Sequence, residues 1–330
     1  MTDKKYKNGI AQLSVAPMMD WTDRHCRFFH RLISPNAMLY TEMKTTGALL
    51  HGDKNRFLQF SEQEQPVALQ LGGSNPNDLA RCAKMGEDYG YDEINLNCGC
   101  PSDRVQKGKI GAILMEEPNL VADGVAAMID AVDIPVTVKC RIGIDEQDDF
   151  EFLNNFVIAI KNAGCKTVIV HARKAWLQGL SPKENRTKPP INYERVADIK
   201  VAHPELNIAV NGDIKTVDAV KQHLEVFDSV MLGREAYQNP YILAELETRV
   251  FENREILNRK AVARAMIPYI EGQADKFGTP IKSITRHMVG LFHQQKGAKK
   301  WRQVLSTLPH QEGRTAKDII EEALKSVSDT

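Results

Sequence analysis

Eight short apolar segments, each with β-branched character and each closed by a polar residue or glycine, recur through the first 240 or so residues. They are Leu13–Met18, Met38–Met43, Val67–Leu71, Asp92–Asn97, Pro135–Arg141, Thr167–Ala172, Asn207–Gly212 and Ser229–Arg234. Between them lie stretches with helical spacing, such as Leu79, Ala83, Met85 and Tyr89, or Phe152, Phe156, Ile160 and Ala163. Strands alternating with helices imply parallel pairing, because a crossover must carry the chain back before the next strand can start in the same direction. Eight such units in that length match an α/β fold of the (β/α)8 TIM-barrel type. A doubly wound open sheet is the alternative that periodicity leaves open. From about residue 246 the strand signals stop. Val262, Met266 and Ile270 mark one amphipathic helix. Later helices are marked by Ile281, Ile284, Met288, Leu291 and Phe292, by Trp301, Val304, Leu305 and Leu308, and by Ile319, Ile320, Leu324 and Val327. The expected organisation is a barrel over residues 1–245 and a small all-helical C-terminal domain over 246–330.

Side chains alternate along a strand, so residues of one parity share a face. In Val136-Thr137-Val138-Lys139-Cys140-Arg141, Lys139 shares a face with Thr137 and Arg141. His171 closes the sixth strand, and Gln70, Asn97 and Asn211 hold the same late position in theirs. For any one of these, a satisfied polar strand end is the simpler reading. Together they are what an active site on the C-terminal face of a barrel requires. The last two strands end in Asn211-Gly212-Asp213 and Gly233-Arg234. Loops after strands seven and eight recurrently hold phosphate, so a cofactor phosphate is expected there.

The fourth strand runs into Asn97-Cys98-Gly99-Cys100-Pro101-Ser102. No second Cys/His pair stands nearby to complete a tetrahedral metal site, so no metal is expected. Cys100 opens a loop, Gly99–Gly111, with three glycines and the cations Arg104, Lys107 and Lys109. A thiol on an electropositive loop over a barrel is a candidate acid or nucleophile. A long connection after the sixth strand carries Lys183, Arg186 and Lys188. In the helical region, Gly297-Ala298-Lys299-Lys300-Trp301-Arg302 sets three cations at the start of a helix, against the macrodipole. Solvated surface charge is the default reading of such clusters, but a bound phosphate would relieve this one.

Composition supplies the exclusions. With 42% hydrophobic and 26% charged residues the chain is ordinary globular material, not a disordered polymer. No uncharged apolar run approaches the ~18 residues of a membrane span, and no signal-peptide core is evident at the start. Six cysteines in so large a chain read as reduced thiols in a cytoplasm. Lys+Arg and Asp+Glu both number 43, and a formal charge of zero argues against a nucleic-acid partner until its distribution is considered. Between Arg254 and Arg302 stand 11 Lys+Arg against 3 Asp+Glu, and between Lys166 and Lys200 the numbers are 8 and 3. Segment charge thus points to a basic side suited to a nucleic acid and an acidic back.

Ala16-Pro17-Met18-Met19-Asp20-Trp21-Thr22-Asp23, Leu69-Gln70-Leu71-Gly72-Gly73, Asn97-Cys98-Gly99-Cys100-Pro101-Ser102, Val138-Lys139-Cys140-Arg141 and Asn211-Gly212-Asp213 resemble the tRNA-dihydrouridine synthases. The resemblance covers most of the chain. Gly179-Leu180-Ser181-Pro182-Lys183-Glu184-Asn185-Arg186 and the segment from Gly297 to Arg302 are similar to the bacterial A class. The resemblance implies an FMN on top of the barrel, held by Pro17, Met18 and Met19, Gln70, Lys139, His171, Asn211, Gly212 and Asp213, and Gly233 and Arg234. It implies that NADPH reduces the flavin, that C6 of a uracil receives hydride, and that Cys100 protonates C5. Asn97 would contact the flipped base, with Arg141 beside it. Lys183, Arg186, Lys299 and Arg302 would contact tRNA, and the A-class features imply uridines 20 and 20a of the D-loop. Two departures are visible: Cys98 stands where an apolar residue is common, and Ile113 where a cysteine is common.

The implied chain is a cytoplasmic oxidoreductase, expected to be a monomer. Three rivals remain: a barrel lyase with Lys139 as Schiff-base nucleophile, an RNA-binding module on an inactive barrel, and a flavin enzyme for free pyrimidines. The basic helical region, unnecessary for a free base, disfavours the last.

Overall fold

Eight parallel strands close into a barrel in the computed structural model, which describes residues 6–7, 10–102 and 108–328. They are β1 Leu13–Val15, β2 Met38–Tyr40, β3 Val67–Gly72, β4 Glu93–Cys98, β5 Val136–Arg141, β6 Thr167–His171, β7 Asn207–Asn211 and β8 Ser229–Leu232. Each pairs with its sequence neighbour, β8 pairs with β1, and β2 pairs with β3, which leaves no free edge and settles the barrel over the open sheet. A two-residue strand, Lys44–Thr45, extends the rim of β3, and Tyr6–Lys7 pairs antiparallel with Ile10–Ala11.

The helices that follow the strands are α1 Arg24–Ile33, α2 Thr46–His51, α3 Lys54–Leu58, α4 Pro76–Asp88, α5 Pro118–Ala131, α6 Phe150–Asn162, α7 Tyr193–Ala202, α8 Val217–Val226, α9 Arg234–Gln238 and α10 Ile242–Arg249. Sequence chemistry sets their starts. Asp23, Asn75, Asp149, Asn192 and Thr216 each accept a backbone N–H as N-cap, and Pro76 and Pro118 occupy the first turn, where a missing N–H costs nothing. Outward-facing Ile94, Leu96, Cys98, Val138, Cys140, Val168 and Val170 pack against these helices in the main core. Inside the barrel a smaller cluster of Ala16, Tyr40, Ala68, Ile169, Ala209 and Met231 fills the lumen. It shares that space with the buried polar residues Ser14, Gln70, Glu93, Asn95 and Thr137.

After α10 the chain continues in helices: α11 Arg259–Phe277, α12 Ile281–Thr285, α13 Ala298–Thr307 and α14 Ala316–Leu324. Trp301 is wholly buried among them and its indole N–H donates to the Met288 carbonyl at 3.0 Å. Gly297 caps α13 at φ 89°, and a Cβ there would fall 1.8 Å from the Ser326 carbonyl, so only glycine fits. This helical segment docks on α1. Tyr269 stacks on Phe28 at 3.8 Å, its hydroxyl meets His25 Nδ1 at 2.8 Å, and Arg286 and His287 both reach Asp23.

Candidate active site

The C-terminal ends of the strands surround a cavity of about 700 Å³, within the ~300–1,000 Å³ usual for small-molecule sites. Pro17, Met18, Met19, Gln70, Asn97, Cys100, Lys139, Arg141, His171, Arg186, Asn211, Gly212, Asp213, Gly233 and Arg234 all line it. Lys183, Lys299 and Arg302 are exposed and outside its lining. Lys109 is exposed as well, while Arg104 and Lys107 lie outside the described residues.

Strand parity places the cavity floor. Thr137, Lys139 and Arg141 point inward, and Lys139 Nζ donates to Asn211 Oδ1 at 3.1 Å while Asn211 Nδ2 donates to the Met231 carbonyl at 2.8 Å. Burial, with Arg141 beside it, brings the Lys139 ammonium down to about 8, and burial brings Arg141 to about 10. His171 is held well below the usual imidazole value by burial and by Arg141, Lys139, Arg173 and Arg234, so it is a neutral ring.

Cys100 is fastened on both sides. Its N–H and that of Gly99 donate to Asn97 Oδ1 at 3.0 and 3.1 Å, and its carbonyl accepts from Ala112 N at 2.9 Å. The Gly99 carbonyl accepts from Arg141 Nε at 2.8 Å, and Arg141 Nη1 donates to the carbonyls of Lys174 and Asn185 at 3.0 Å. Arg141 thus braces the cysteine turn against the connection after β6. Cys100 is half-buried and faces the cavity. Cys98 is wholly buried, and desolvation pushes its thiol well above the usual value. Ile113 packs partly buried against the main core.

At the far side of the cavity, Asp213 collects Arg173, Lys215 and Arg234 at 3.6, 2.8 and 3.7 Å. Three cations on one carboxylate leave a surplus of two positive charges. Arg173 is buried, donates from Nη1 to the Pro189 carbonyl, and has no hydrogen-bond partner for Nε. A buried guanidinium N–H without a partner is costly. Gly212, at φ 128°, lies so close to His171 that a Cβ would come within 2.9 Å of its ring. Together these features suit a ligand with a polar edge toward Lys139 and Asn211 and a doubly anionic tail by Arg173 and Arg234.

Arg173 was not among the expected residues, yet its signal was present: it continues the parity of His171 through His171-Ala172-Arg173. Glu93 is the other omission. It is the charged residue of a strand that alternates polar and apolar, in phase with Asn95 and Asn97, and is buried in the lumen. Trp21, which lines the cavity, stacks on Tyr237 with ring centroids 4.4 Å apart. Among the described residues no cluster of His, Cys, Asp and Glu could hold a metal, and no helix is long and apolar enough to cross a membrane.

Comparison with known proteins adds two findings. The family model for dihydrouridine synthase matches residues 14–328. A protein of Vibrio cholerae named tRNA-dihydrouridine(20/20a) synthase is 55% identical over 318 residues, covering 96% of each chain. Proteins of the same name from Shewanella oneidensis and Escherichia coli (strain K12) are 54% identical, covering 97% and 100% of this chain and 95% of theirs.

Proposed function

The chain belongs to the dihydrouridine synthase family, and on that premise we propose that it reduces uridines 20 and 20a of tRNA to 5,6-dihydrouridine with an FMN recharged by NADPH. The observation that carries this reading is the convergence of a cavity-facing thiol, Cys100, with Asn97, Lys139, His171 and the cations around Asp213 on one cavity. The fit to FMN rests on Arg173 and Gly212. The unpartnered Nε and the surplus of two positive charges suit a phosphate dianion, and the bare Gly212 backbone leaves room beside His171. When bound, the flavin supplies the hydride that uracil C6 takes up.

Cys100 supplies the proton at C5, from Sγ. Lys139, Arg141 and Arg186 line the same cavity and offset negative charge as it develops there. Neutral His171 adds no further charge to a crowded cationic site and can offer a ring N–H to the cofactor. Asn97 fixes the cysteine turn and presents its one remaining amide N–H to the base. A stacked uracil cannot reach this floor, so its nucleotide is extruded at about a few kcal/mol. Contacts elsewhere on the RNA offset that cost, and we assign them to Lys183, Arg186, Lys299 and Arg302. In this reading residues 1–245 form the FMN-binding catalytic barrel and 246–330 a tRNA-binding helical domain. The protein acts as a monomer in the cytoplasm, where its six free cysteines stay reduced.

The test is Cys100→Ala. The variant is expected to keep its yellow cofactor and its NADPH oxidation while forming almost no dihydrouridine in tRNA. Near-normal dihydrouridine would overturn the acid assignment.

A further inference from the structure

From the cysteine turn, a continuous line of hydrogen bonds, part-buried at Asn97 and fully buried below Gln70, descends the barrel lumen to its floor. The N–H groups of Gly99 and Cys100 donate to Asn97 Oδ1 at 3.1 and 3.0 Å. Asn97 Nδ2 donates to Gln70 Oε1, Gln70 Nε2 to Asn95 Oδ1, and Asn95 Nδ2 to Thr137 Oγ1, each at 2.8 Å. The Thr137 hydroxyl donates to Glu93 Oε1 at 2.6 Å, and the Tyr40 hydroxyl donates to the same oxygen at 2.6 Å. Every bond in the line points the same way.

That direction follows from the two ends. A backbone N–H can only donate, so Asn97 must turn its oxygen toward Gly99 and Cys100. Its NH2 must then face Gln70, whose own NH2 must face Asn95, and so on down to the hydroxyl of Thr137. The line closes only on a group that accepts without needing to donate there. A carboxylate oxygen meets that requirement. Gln70, Asn95, Thr137 and Tyr40 are all buried, so none of these groups can turn to water instead. Burial raises the Glu93 carboxyl to about 7, against the pull of the Thr137 and Tyr40 hydroxyls.

We propose that Glu93 is a positioning residue: by accepting at the floor of the barrel it fixes which way Gln70 and Asn97 face, and so where the Cys100 turn stands. It acts across four residues of β4, about 13 Å at ~3.3 Å per residue, without touching substrate or cofactor. Without an acceptor there, the Thr137 hydroxyl would donate upward to Asn95 and reverse the order of the line. The Asn97 NH2 would then confront two backbone N–H groups that need an acceptor. Both orders lose bonds, and the amides would populate both. The acceptor oxygen, not the charge, is what matters, because a glutamine oxygen can take both hydroxyl bonds.

The inference rests on the roles read above for Asn97 and Cys100, and its test separates the two. In the full-length protein, Glu93→Gln is expected to keep the side-chain amide NMR signals of Gln70 and Asn97 single and slowly exchanging, with dihydrouridine formation within about twofold of the parent. Glu93→Leu should broaden or double those signals and lower dihydrouridine formation about tenfold, the scale of one unpaired buried donor. Should Glu93→Leu fail to fold, the near-isosteric Thr137→Val cuts the same line and should reproduce its effects. Combining Glu93→Leu with Thr137→Val should add little further loss, since both break one line. Unchanged amide signals in both Glu93→Leu and Thr137→Val, or a Glu93→Gln as damaged as Glu93→Leu, would overturn the relay. Altered amide signals with normal dihydrouridine formation would instead overturn the catalytic roles of Asn97 and Cys100, and with them the function assigned to the relay.

Discussion

Cys98 and Cys100, separated by a single glycine, end in opposite environments. Cys98 closes β4 facing outward, against the helix layer, and is wholly buried. Strand parity alone would send Cys100 the same way. The strand stops at Cys98, however, and Asn97 draws the next two N–H groups back over the barrel, which turns Cys100 into the cavity. A mild thiol alkylating agent should therefore modify Cys100 first, since the other five cysteines are buried. Peptide mapping that found Cys98 labelled earlier would contradict this placement. Cys98→Ala should leave dihydrouridine formation within about twofold and lower stability by about 1 kcal/mol, the cost of a small cavity. The motif Asn97 to Ser102 was legible in the sequence as chemistry, but the exchange of faces was not. It depends on a side-chain hydrogen bond that ends the strand, and period-2 reasoning assumes the strand continues.

At the scale of the element, α1 shows how one residue serves two structures. One oxygen of Asp23 caps the helix by accepting from His25 N and Cys26 N at 2.9 and 3.0 Å. The other accepts from Arg286 Nη2 at 2.6 Å and pairs with His287 Nε2 at 3.1 Å. Burial alone would raise this carboxyl, but the hydrogen bond and charge of His287 and the N–H of Cys26 outweigh it and hold the group well below the usual range. Asparagine is as good an N-cap as aspartate, whereas alanine is not. Asp23→Asn should therefore lose the ion pair with Arg286 and weaken the pairing with His287, while Asp23→Ala loses the cap as well. The alanine variant is expected to be less stable than the asparagine variant by about 1 kcal/mol in urea unfolding. Equal stabilities would mean that the cap contributes nothing here. The Trp21-Thr22-Asp23 segment stood out in the sequence, yet its partner Arg286 lies 263 residues away. Local patterning reads the helix and its cap, and carries no information on what a helix start will meet across the molecule.

For the whole molecule, that junction decides how an RNA bound on the helical segment, as proposed, would relate to the cavity. Asp23 stands two residues beyond the cavity-lining run Ala16–Trp21, and Trp21 itself stacks on Tyr237, whose hydroxyl meets His287 Nδ1 at 3.1 Å. The two parts are thus joined at the cavity mouth by buried and paired groups, and α13 is carried at a fixed place relative to it. The helix begins at Ala298 with no side-chain cap, and Lys299, Lys300 and Arg302 are exposed in its first turns. Uncapped N–H groups and three cations make one electropositive end, suited to phosphate. If RNA phosphates occupy it, Lys299→Ala combined with Arg302→Ala removes about two charge contacts. The logarithmic salt slope of tRNA binding should then fall by roughly 1.4–1.8, at about 0.7–0.9 per phosphate. The loss should appear in KM for tRNA, with kcat at saturating tRNA and NADPH oxidation without tRNA both retained, because neither residue lines the cavity. An unchanged salt slope would take α13 out of the RNA footprint. A fall in kcat at saturating tRNA would mean that the helix helps to place the uridine as well as to hold the RNA.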